Sequence, residues 1–180
     1  MPFLKAKPWV IFSLLILVPV VGIIVVVLIA KASDIRGLIP LVSAIIWLPV
    51  LVTYFGWLWS AGSNLIRNPQ SKRLFKTIFL SSLICAFLLV PAIKVIANDS
   101  MMVALDIISV LNFLGLLYCI NLIRKGLIEW ETELGLFASS KVADFITIWI
   151  LPIGIWFVQP RIQLVLKALG SSTTRYGVSQ

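Results

Sequence analysis

Charge-free apolar runs separated by short polar gaps organise this chain. No Asp, Glu, Lys or Arg stands between Lys7 and Lys31, or between Arg36 and Arg67. About 20 apolar residues let a helix cross a bilayer core. Residues 9–30 therefore predict one spanning helix and residues 37–59 a second. Tyr54, Phe55, Trp57 and Trp59 gather near the end of the second run, and Trp9 marks the start of the first. As an aromatic belt they would lie at one membrane interface. A basic loop carrying Arg67, Lys72, Arg73 and Lys76 is expected next. Residues 77–97, interrupted by Pro91 and Lys94, predict a third crossing. Residues 98–100 make a turn, and residues 102–123, with Asp106 near their start, predict a fourth.

Beyond Ile123 the pattern changes. Residues 124–141 mix apolar positions with Glu129, Glu131 and Glu133, as a surface helix would. Residues 143–158 are apolar again but number only 16, with Pro152 and Gly154 inside them. A helix of that length rises about 24 Å, short of a core of about 30 Å. A re-entrant or interfacial element fits better than a fifth span. Residues 161–169 form a last amphipathic piece, and the polar residues 170–180 are expected to be a disordered tail.

Charge distribution gives the orientation. Cytoplasmic loops of membrane proteins carry an excess of Lys and Arg. With four crossings, 12 of the 15 basic residues fall on the side of the N-terminus, against 3 (Lys31, Arg36, Lys94) on the other. With five, Arg161, Lys167 and Arg175 change sides and the split becomes 9 to 6. The expected architecture is an all-α polytopic bundle: four spans in residues 1–123, an embedded C-terminal element in 124–169, and both termini cytoplasmic. Five spans is the alternative. Residues 9–30 also follow Lys5 and Lys7 as a secretory signal would, with Ala30-Lys31-Ala32 as a small-x-small site. The run is longer than the apolar part of a signal, so a retained helix is expected.

Composition agrees with a bilayer as solvent. Hydrophobic residues make up 61% and charged residues 12%, with a mean hydropathy of +1.09. A soluble domain carries about a quarter charged residues. The net charge of +8 sits in the gaps, where it suits anionic headgroups rather than nucleic acid. Cys85 and Cys119 lie inside apolar segments, as packing residues do. The chain has no histidine, and its serines have no Lys base in helical register. No enzyme, cofactor or metal site is expected.

The stretch 131–163 carries Pro152, Gly154, Ile155, Trp156, Gln159, Pro160 and Arg161. It resembles a group of small, uncharacterised bacterial membrane proteins that close with a Pro-x-Gly-Ile-Trp-x-x-Gln-Pro-Arg element. The resemblance covers under a fifth of the chain. It implies a bacterial inner membrane and carries no activity.

Several polar residues call for a role, because ionisable groups within apolar segments are costly. Lys94 and Asp106 flank the turn at 98–100, so a hairpin would bring them to similar depth as a structural ion pair. One pair near an interface is not a proton path. Asp144 suits a helix N-terminus, with ion or substrate contact as its sharper reading. Glu129, Glu131 and Glu133 alternate, so neighbours in that series cannot share a helical face. They are expected on an acidic surface that, together with Trp156, Gln159 and Arg161, contacts a partner protein. The function expected is a non-catalytic accessory or structural subunit of an inner-membrane assembly. The alternative is a small transporter or channel, as a homo-oligomer with its pore between protomers.

Overall fold

The computed structural model describes residues 2–32, 39–90, 99–135 and 141–176, and all regular structure among them is helical. The helices are α1 (Pro2–Lys5), α2 (Pro8–Phe12), α3 (Val18–Ala32), α4 (Ile39–Leu65), α5 (Pro69–Ile84), α6 (Asp99–Glu133), α7 (Lys141–Trp149) and α8 (Leu151–Tyr176). Wide π-helical turns at Ser13–Leu17 and Cys85–Leu89 extend α2 and α5. The first lies just before Pro19. A proline has no N–H for the carbonyl four residues back, and a wider turn eases the clash of its ring.

Among the described residues, three helical stretches are long and apolar enough to cross a membrane: Pro8–Leu28, Ile45–Leu65 and Met102–Glu133. The third expected crossing reaches into residues 91–98. Lys94 lies there, outside the described residues, and so does its expected pairing with Asp106. Asp106 itself is exposed on α6.

Three boundaries differ from expectation. The basic loop is largely helix. Asn68 caps α5 by accepting from the Gln70 N–H at 2.9 Å, and Pro69 opens the first turn. Asn-Pro is a cap followed by a preset first residue, so Lys72, Arg73 and Lys76 ride on helical turns. The surface piece after Ile123 is the continuation of α6. That helix has 35 residues, about 52 Å at 1.5 Å per residue, and ends where Gly135 takes φ 67°. The tail expected to be disordered from residue 170 is helical to Tyr176. Its Ser and Thr residues are weak helix formers but not breakers, and a packed helix propagates through them.

The chain divides into two compact units, Met1–Ser60 with Val142–Gln180, and Ala61–Lys141. In the first, Ile155, Val158, Gln159, Ile162 and Val165 form one buried stripe along α8 at helical spacing. α8 packs against α1 and α2, and the unit buries Leu4, Ile11, Leu15, Trp57, Leu58 and Ile148. In the second, α5 and α6 pair antiparallel. Gly115 faces Ile78 and Ser82, and the Cys119 thiol lies 3.9 Å from the Phe75 carbonyl. A Cβ on Gly126 would stand 2.6 Å from the Leu65 carbonyl oxygen. Small residues at such spacing let membrane helices approach closely, where packing rather than water drives association.

Candidate functional site

Of the residues that the sequence singles out, the first unit holds Asp144, Trp156, Gln159 and Arg161. In a straight helix, Asp144 and Arg161 would lie about 25 Å apart along the axis. Instead the Arg161 guanidinium donates both NH groups to the Asp144 carboxylate, at 2.5 and 3.2 Å. Thr147 and Gly154 would likewise be about 10 Å apart. Yet a Cβ on Gly154 would stand 1.7 Å from the Thr147 carbonyl oxygen. α7 and α8 are therefore the two limbs of a hairpin folded about Ile150.

Sequence explains the fold-back. Helical hydrogen bonds continue on each side, Ile150 N–H to Ile146 O and Gly154 N–H to Ile150 O, both 2.8 Å. Pro152 has no N–H to leave unsatisfied, as suits the opening of a helix. Gly154 lacks the side chain that would force the limbs apart. Tyr54 then donates its hydroxyl to the Trp149 carbonyl at 3.3 Å, capping the end of α7.

Gln159 is completely buried and fully engaged. Its amide nitrogen donates to the carbonyls of Phe3 (3.1 Å), Leu4 (2.8 Å) and Ala6 (3.1 Å). Its oxygen accepts the Trp57 indole N–H at 2.7 Å. Gln163, one turn on, adds Ala6 at 2.9 Å and Leu4 at 3.5 Å. α1 is only four residues long, so its last carbonyls have no helical donors. The two glutamines supply them. Further along, Phe12 tilts against Trp156 with ring centroids 5.8 Å apart. As α8 advances from Trp156 to Gln163, its partners thus retreat from Phe12 to residues 4–6. The open end of the hairpin lies at the N-terminal end of the chain.

These placements redistribute the expected contact residues. Trp156 stays exposed at 48%, Gln159 is at 0%, and Arg161 and Asp144 neutralise one another with side chains 21% and 3% exposed. Gln159 therefore contacts this chain's own backbone. Trp57, expected in an aromatic belt, is an internal donor with no exposed surface. The sequence did not point to Trp57 as a buried donor or to Gln163 as a backbone contact, and Thr147 carried no expectation at all. Two glutamines four apart in an apolar stretch were the available signal for the first two, since same-face amides at that depth must find partners.

In the second unit, Arg67 follows the end of α4 and stacks over Trp130, 4.4 Å from the ring centroid. It also pairs with Glu133. The Trp130 indole donates to the Leu65 carbonyl at 3.1 Å, capping α4. Beside these contacts an open groove of about 850 Å³ lies between residues 67–69 and Ile128, Glu129, Thr132 and Glu133. Glu129 and Glu133 are exposed along it, while Glu131 turns inward and is buried. The alternation of the three glutamates splits them between two faces. Among the described residues no group of three or more His, Cys, Asp or Glu gathers where a metal ion could be held.

No protein-family model, curated protein or solved structure matches the chain.

Proposed function

We propose that the protein is a non-catalytic accessory or structural subunit of a bacterial inner-membrane complex, docking its partner at the Arg67–Glu129–Glu133 groove. In this reading the chain crosses the bilayer four times with its N-terminus in the cytoplasm, and α7–α8 is a re-entrant hairpin. The hairpin geometry supports that topology: both limbs open toward the N-terminal end, so the chain dips in and returns to the side it left. A cysteine placed at Ser171 should be shielded from an impermeant thiol reagent added to whole cells, in a background lacking the native cysteines. Labelling from outside would favour five crossings.

The groove carries the functional reading. Two exposed carboxylates and an arginine at the polar end of a 35-residue helix present charge that tunes partner choice more than affinity. The Arg67–Glu133 pair is exposed, whereas Asp144, Gln159 and Arg161 are bonded inside their own unit. Exposed Trp156 and its neighbour Phe157 add an apolar contact surface on the hairpin. Extraction in a mild detergent should co-purify a partner, and Glu129→Lys, which leaves the Arg67–Glu133 pair in place, should release it without altering thermal stability. Solute movement by the pure protein in liposomes, abolished by Asp106→Asn or Asp144→Asn, would replace this reading with transport.

A further inference from the structure

The N-terminal turn lies in a slot built for it. Leu4 is completely buried. A Cβ on Gly56 would come within 2.7 Å of the Phe3 ring, so glycine there makes room for that side chain. The floor of the slot is Gln159, held by Trp57 from α4, and Gln163 closes one edge. All five hydrogen bonds that the two glutamines give this turn run from side chains to backbone carbonyls. The turn is thus recognised by its main chain, with Phe3 and Leu4 as apolar anchors. Lys5 and Lys7 stay exposed at its rim.

We infer that residues 3–6 are a latch, and that its seating in the Trp57–Gln159–Gln163 slot is coupled to the fold-back of the α7–α8 hairpin. The slot residues sit on the returning limb, whose path is fixed at one end by Gly154 against Thr147 and midway by Arg161 on Asp144. Straightening the hairpin moves Gln159 and Gln163 away from the turn. Pulling the turn out leaves Gln159 buried with unsatisfied donors, which favours movement of the limb. Coupling of this kind is reciprocal. A force, a modification or a partner acting on the N-terminus would therefore alter the hairpin, and the reverse. This inference is independent of the docking groove, which belongs to the other unit.

Trypsin cleavage at the Lys5–Ala6 bond, followed by mass spectrometry on the full-length protein in detergent, tests it. Cleavage needs the turn out of its slot, so its rate follows the population of the released state. Gln159→Glu keeps the acceptor for Trp57 but removes the donors, and should speed the cut about 10- to 100-fold. Gln163→Leu should give a smaller rise. The deciding variants are Gly154→Ala and Arg161→Gln, which touch none of residues 3–6. A coupled latch predicts faster cleavage at Lys5–Ala6 in both, with the cutting pattern at Arg73 and Lys125 unchanged. If those two variants keep wild-type protection while the glutamine variants lose it, the slot exists but the coupling is wrong. If Gln163→Leu leaves protection unchanged, or the wild type is cut as fast as Gln159→Glu, the latch itself is wrong.

Discussion

Gly154→Ala is expected to be the most damaging single-methyl change in the chain. The added carbon would sit 1.7 Å from a backbone oxygen, and no rotamer change moves a Cβ, whose place the backbone fixes. The limbs must separate, which strains the Arg161–Asp144 pair and the Tyr54 contact with Trp149. Overpacking a tight interior costs about 1–3 kcal/mol, and a backbone clash belongs at the upper end of that range. Thermal unfolding in detergent should show a lowered midpoint for Gly154→Ala. Gly135→Ala is the contrast: nothing lies within 4 Å of a Cβ there, and the cost is only that of φ 67°. An unchanged midpoint for Gly154→Ala would mean that the hairpin is not tightly folded.

The ion pair should give the second large effect. Asp144 is almost wholly buried, so Arg161→Gln takes the bidentate cation away from a carboxylate in a poorly solvated place. Breaking a buried pair from one side costs about 3–5 kcal/mol, whereas replacing both partners with apolar residues is often close to neutral. Asp144→Leu with Arg161→Met should therefore be more stable than Arg161→Gln alone. A double-mutant cycle measures this directly. Strict additivity of the single substitutions would show that the two side chains do not depend on each other.

Much of the helical framework was legible because apolar runs and their charged borders are local properties. Charged residues border the 9–30 and 37–59 segments, and Asn68-Pro69 is a local cap signal for α5 that the surrounding basic residues obscure. The fold-back was only half visible. Pro152 and Gly154 marked a break in the pattern of residues 143–158, but not that Asp144 would meet Arg161, since no periodicity links residues 17 apart. Trp57 departs from the expected aromatic belt for a physical reason. An indole favours a headgroup interface and a buried acceptor equally well, and only the tertiary position of Gln159 decides between them. Glu131 illustrates the opposite case. Its spacing from Glu129 and Glu133 already placed it on another face, and the structure puts that face inside.

The unbroken course of α6 has a mechanical consequence. In the proposed topology a bilayer core takes up about 30 Å of α6, which is about 52 Å long, so a stiff rod of some 20 Å remains outside it. Glu129 and Glu133 stand on that rod with no hinge between them and the apolar stretch. A load applied at the groove is therefore a torque on the embedded part, and a change in membrane thickness that tilts the helix swings the groove sideways.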